Sequence, residues 1–245
     1  MVTSGGWPYC QQVRTLARRT RHSLLCGRFA ADGYTGPGLR AARHLDWGNA
    51  QYLAELAAAV RDEHRRTGGR LLFIGVSYSG FGVATLVSHH PGLRPDRLIV
   101  VDSYFDLVNR RHVLPPRHLT AREIDLETGG SPAELRRRSA SASGLAAAVR
   151  AGTRLTAVWT VSEHERRFFN GATCGPGAMA ATLQALARIL RRPVAAWVTR
   201  ERHGRNLWQH GRAIVAGRNP GRRVVFRPGG GIPRSAVCRP PGAVG

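Results

Sequence analysis

The sequence predicts an α/β fold with a mostly parallel sheet flanked by helices, and three observations point to it. Short apolar runs alternate along the chain with longer amphipathic stretches rich in Ala and Leu. The runs hold few alternating polar positions, as strands do when helices cover both of their faces. Finally, 245 residues at 42% hydrophobic and 21% charged suffice for one well-buried domain and do not describe a disordered or fibrous chain.

The elements follow in order. Residues 1–3 read as the end of a short strand, and further strands are expected at 22–29, 70–74, 97–101, 155–160 and 193–199. Helices are expected between them at 10–20, 50–66, 80–89, 178–190 and 206–216. In the second, Tyr52, Leu53, Leu56, Ala59 and Val60 recur at steps of three and four, so one stripe faces the sheet while Arg61, Glu63 and Arg65 face water. Gly68 and Gly69 stop that helix, and Pro91 stops the next. Residues 113–151 break the alternation with Pro115, Pro116, Gly129, Gly130 and Pro132. With short helical pieces near 121–127 and 132–138, they read as a helical insertion or cap over the sheet. Residues 1–220 are thus expected to form a single domain, and 221–245 an irregular Gly/Pro/Arg-rich tail.

Charge bears on partners. The formal net charge is +22, and all 37 basic residues are Arg. They are scattered as pairs such as Arg18/Arg19, Arg110/Arg111 and Arg222/Arg223, not gathered into the clustered footprint of a nucleic-acid binder, so that class is disfavoured. Cys10, Cys26, Cys174 and Cys238 lie far apart, form no C-x-x-C pair, and read as buried small hydrophobes. No histidine spacing suggests a metal site, and no metal or cofactor is implied. There is no apolar run of membrane-spanning length and no leader pattern at residues 1–9, which predicts a cytoplasmic protein.

The chemistry centres on the run Leu71-Leu-Phe-Ile-Gly-Val-Ser-Tyr-Ser-Gly-Phe-Gly-Val-Ala. An apolar strand turns through Gly75-Val76-Ser77-Tyr78-Ser79-Gly80 directly into a helix, the setting of a G-x-S-x-G nucleophile elbow. Small residues on both sides let helix and strand close in while the hydroxyl of Ser77 stands exposed at a helix N-terminus.

Through this motif the chain resembles the α/β-hydrolase fold family from about residue 2 to 216, with Ser79 standing where the family has its second elbow glycine. The resemblance implies further roles. Met1-Val-Thr-Ser-Gly-Gly-Trp-Pro-Tyr looks like the family's oxyanion loop, with Ser4 at the usual histidine. Gly6 or Trp7 would give one oxyanion N–H and Tyr78 the other. Leu155-Thr-Ala-Val-Trp-Thr-Val-Ser-Glu-His-Glu resembles the late strand that carries the acid. Glu165 fits best by offset, Glu163 is the near alternative, and Asp102 and Asp106 after the preceding strand are further options. His203, in the loop after the last expected strand, would be the general base. Trp7, Phe81, Tyr104 and Phe105 would lie near the pocket mouth.

The function this implies is hydrolysis of a small or medium carboxylic ester or thioester through a Ser77-His203-acid triad and an acyl-enzyme. The alternative is a non-catalytic α/β-hydrolase-like binding protein, favoured by Ser4, Ser79 and a first strand that is short for the family. A sheet opened at that end would also leave an edge through which two copies could pair.

Overall fold

The computed structural model of the chain describes residues 1–4, 7–27, 50–114, 119–163, 165 and 179–238. The chain opens with β1 (Val2–Ser4), α1 (Trp7–Arg19) and β2 (Leu25–Gly27), and continues through α2 (Ala50–Thr67), β3 (Leu72–Val76), α3 (Tyr78–His89) and β4 (Arg97–Val101). Four helices follow: α4 (Leu107–Val113), α5 (Leu119–Thr128), α6 (Pro132–Arg137) and α7 (Ala142–Arg150). Among the described residues there follow β5 (Arg154–Thr160), α8 (Met179–Leu190), β6 (Val194–Thr199), α9 (Arg205–Val215) and β7 (Arg222–Phe226).

Among the described residues the strands form one seven-stranded sheet in the order β2-β1-β3-β4-β5-β6-β7, parallel except for β7. The expected α/β class with a mostly parallel, helix-flanked sheet is what the chain adopts. Alternation along the strands sorts the two faces. Leu72, Ile74 and Val76 of β3, with Ile99 and Val101 of β4, pack under Val13 and Leu16 of α1 and Leu207 and Ile214 of α9. Phe73, Leu98, Val100 and Trp159 point the other way, into the larger core roofed by α2, α3, α7 and α8. Each large side chain fully withdrawn from water contributes about 1.5–3 kcal/mol, so the central strands are the most strongly held part of the molecule.

Three expectations are corrected. The tail is not irregular throughout: β7 pairs antiparallel with β6, and Val224, Phe226 and Ala236 enter the main core. The indole N–H of Trp159 donates to the Ala236 carbonyl at 2.9 Å, tying a short 3₁₀ turn (Arg234–Ala236) to β5. Second, α7 packs inside the core through Leu145, Ala146 and Ala148, and a side chain on Gly144 would run into the Ser88 backbone of α3. The last part of the segment read as an insertion is therefore a helix of the sheet's own flank. Only α4, α5 and α6 gather over Phe81 and Tyr104 in a separate small cluster. Third, Cys10 and Cys26 are not separate thiols: a disulfide joins them, with Cα atoms 6.0 Å apart, and links α1 to β2. Cys238 is disulfide-bonded as well.

The short first strand lies inside the sheet, with Val2 in register with Leu25 on one side and Phe73 on the other. Among the described residues no helix is long and apolar enough to cross a membrane.

Candidate active site

Register decides what the strand ends bring together. Val76 of β3 sits beside Val101 of β4, and Val101 beside Val158 of β5, so Ser77 and Asp102 leave neighbouring strands at the same level. Both do so with a positive φ, 52° for Ser77 and 43° for Asp102, a conformation that non-glycine residues adopt only under constraint.

The elbow is over-determined by its neighbours. Ser77 N–H donates to the Val101 carbonyl at 3.0 Å, while its own carbonyl accepts from the N–H groups of Gly80 and Phe81 and, at 2.5 Å, from Ser103 Oγ. Any side chain at Gly75 would overlap the Ser79 carbonyl, and one at Gly80 would overlap Ser103. These two positions need glycine because backbone passes over backbone there. Ser79 has its own reason: its Oγ accepts from Val76 N–H at 2.7 Å and donates to the Val76 carbonyl at 2.9 Å, stitching the first turn of α3 back onto β3. Ser79→Ala should therefore lose about 1–2 kcal/mol and lower Tm by about 2–8 °C in a thermal melt; an unchanged Tm would show the stitch to be idle.

The sequence-derived acid and base meet. Glu165 is fully buried, and its Oε2 lies 2.8 Å from His203 Nδ1, at the end of β6. The buried carboxylate holds Nδ1 and with it the orientation of the imidazole ring. Glu163 is exposed, and Asp106 caps α4 by accepting from Asn109 N–H at 2.9 Å, so neither stands in Glu165's place.

Asp102 does something different. Completely buried, it accepts from Thr160 N–H at 3.0 Å, from Gly204 N–H at 3.0 Å and from Asn206 Nδ2 at 2.9 Å. One carboxylate thus ties the end of β5 to the turn that follows His203. Burial pushes this carboxyl up to about 6, against the pull of His203 and the hydrogen bonds from Asn206 and Gly204.

Tyr78 opens α3, so its N–H belongs to the first turn, where amides point outward from the helix. Trp7 likewise opens α1, and Gly6 lies outside the described residues. The aromatic residues expected at a pocket mouth are mostly interior: Phe105 is fully buried in the main core, and Phe81 and Tyr104 are buried in the cluster over the elbow. A groove of about 280 Å³ opens instead between α1 and α9, bordered by His203 and by Arg19, Arg212 and the exposed Trp208. Among the described residues no group of three or more His, Cys, Asp or Glu is placed to hold a metal ion.

Ser103, Asn206 and the clamp role of Asp102 were missed in the sequence; an acidic residue closing an apolar strand was the one signal available. Comparison of the chain with protein-family models, curated proteins and solved structures finds no match.

Proposed function

We propose that the chain is a serine hydrolase of the α/β-hydrolase type, cleaving a small or medium carboxylic ester or thioester. The observation that carries the proposal is the buried Glu165–His203 hydrogen bond at 2.8 Å, formed between the loops after β5 and β6 of the same sheet whose β3 presents Ser77 on a strained elbow. The chain order Ser, Glu, His supports the same reading, since it is the order in which the resemblance sets nucleophile, acid and base.

Ser77 Oγ attacks the acyl carbon as His203 Nε2 takes its proton. Glu165 holds the imidazole in the tautomer that leaves Nε2 able to accept, and it stabilises the imidazolium that results. The oxyanion is held by Tyr78 N–H, with Gly6 or Trp7 as the second donor. The imidazolium then protonates the departing alcohol or thiol, and water, activated by the same ring, releases the acid. The cytoplasmic setting expected from the sequence is not carried into this proposal, because a disulfide such as Cys10–Cys26 persists in oxidising surroundings.

Fluorophosphonate labelling of the purified chain, followed by peptide mapping, tests the reading. One label per chain on Ser77 is the expected outcome. A folded chain that takes no label, or takes it elsewhere, overturns it.

A further inference from the structure

Arg110 of α4 is only 7% exposed, and its Nε and Nη1 are buried with no hydrogen-bond partner among the described residues. A guanidinium withdrawn from water without an acceptor is among the costliest groups a fold can hold. Its neighbour Arg111 is paired with Asp125 at 2.7 Å, so a carboxylate in this region is spent on the adjacent residue instead. What Arg110 has is a ring: its Cζ lies 5.4 Å from the centroid of Tyr104. Tyr104 stacks on Phe81 at 5.1 Å and meets Tyr78 edge-on at 6.1 Å, and Tyr78 is the residue that follows Ser77. A row of aromatic rings thus runs from the elbow to an arginine whose Nε and Nη1 hold donors that are not used. Nε or Nη1, each together with Nη2, forms an edge that grips a carboxylate or a phosphate through two parallel N–H bonds.

We propose that Arg110 is the anion-recognising residue of the Ser77 site, so that the ester or thioester cleaved carries a carboxylate or a phosphate. The idea rests on the serine-hydrolase reading for the word ester, and on Arg110 alone for the anion. A net charge of +22 draws such a substrate toward the molecule from any side, and Arg110 selects it once there.

Two 4-nitrophenyl esters of equal length test the proposal, the hemiglutarate and the valerate, with the full chain and its Arg110→Met and Arg110→Lys variants, each checked for folding by thermal melt. The wild-type chain should favour the hemiglutarate by about tenfold or more in kcat/KM, mainly through KM. Arg110→Met should erase that ratio and Arg110→Lys should keep part of it. A ratio that Arg110→Met does not move overturns the proposal. Calorimetric titration with glutarate and with inorganic phosphate reads the site without turnover and tells the two anion types apart, with an Arg65→Met chain as the control for surface charge. Binding lost in Arg110→Met but kept in Arg65→Met supports the anion site even if Ser77 takes no fluorophosphonate, an outcome that would sink only the hydrolase reading. A chain that labels at Ser77 yet binds neither anion overturns the anion site and leaves the hydrolase standing.

Discussion

His203→Ala is expected to lower kcat by about four orders of magnitude on any ester the chain turns over, and Glu165→Gln by nearly as much. The two losses have different origins. On the proposed reading, alanine at 203 removes the group that takes the Ser77 proton. Glutamine at 165 keeps the shape but turns an acceptor into an amide, so His203 Nδ1, now 2.8 Å from a carboxylate, no longer has a partner that fixes its proton there. The ring is then free to settle in the tautomer whose Nε2 carries a proton and so, on the proposed mechanism, cannot accept one. Because the two residues act as one unit, the double variant should be scarcely worse than either single one. Glu163→Gln supplies the contrast: this side chain is exposed, and its replacement should leave kcat within about twofold. Steady-state rates on one ester decide the matter, and a large loss at 163 with none at 165 would move the acid by two residues.

The second large effect falls on stability. Asp102→Ala strips the acceptor from Thr160 N–H, Gly204 N–H and Asn206 Nδ2 in a place water does not reach. At about 1–3 kcal/mol for each stranded buried donor, less what relaxation recovers, the variant should lose about 3 kcal/mol, or about 6–12 °C in Tm. The loss has a pH signature. Burial raises the Asp102 carboxyl from its ordinary 3.8 to about 6 in the folded chain, so between these values the native state binds more protons than the unfolded state. By linkage the stability contributed by this group is highest below pH 4 and declines as pH rises toward 6. The gap between wild type and Asp102→Ala should therefore be wider at pH 4 than at pH 7 in urea titrations. A gap that widens with pH would mean that the carboxylate is stabilised by its surroundings more than burial opposes it. Loosening of the turn after His203 should also slow Ser77 labelling, though less than loss of His203 itself.

Much of this architecture was legible from residue types. Strand β4 was read to the residue, because Arg97–Val101 is an apolar run closed on both sides by aspartate. Strand β7 was not, because it begins with two arginines amid glycine and proline. Its inward pair, Val224 and Phe226, declares a period of two only once β6 lies beside it. Helix α7 was hidden by small residues, which look like a linker in sequence and serve as a close-packing surface in three dimensions. In the site, Ser77 and His203 carry chemistry that few other residue types supply, so they stood out. Choosing between Glu163 and Glu165 needed burial, which two residues of spacing do not encode. Asp102 was noticed for its charge, whereas its role as a clamp depends on three donors from two distant segments. Arg110 is one of 37 arginines, and only the missing partners around it set it apart. The Cys10–Cys26 bond likewise follows from the parallel placement of β1 and β2, a tertiary event.

The antiparallel β7 has a consequence for the order in which the molecule is made. Strand β6, which delivers His203, is synthesised before the strand that covers its outer side. During vectorial synthesis the elbow of Ser77, enclosed by β1, β3 and β4, can consolidate while β6 still displays an open row of amides and carbonyls. The nascent chain therefore sets Ser77 in place before it sets His203, and it is most exposed to mispairing with other chains in the interval before Arg222–Phe226 arrives.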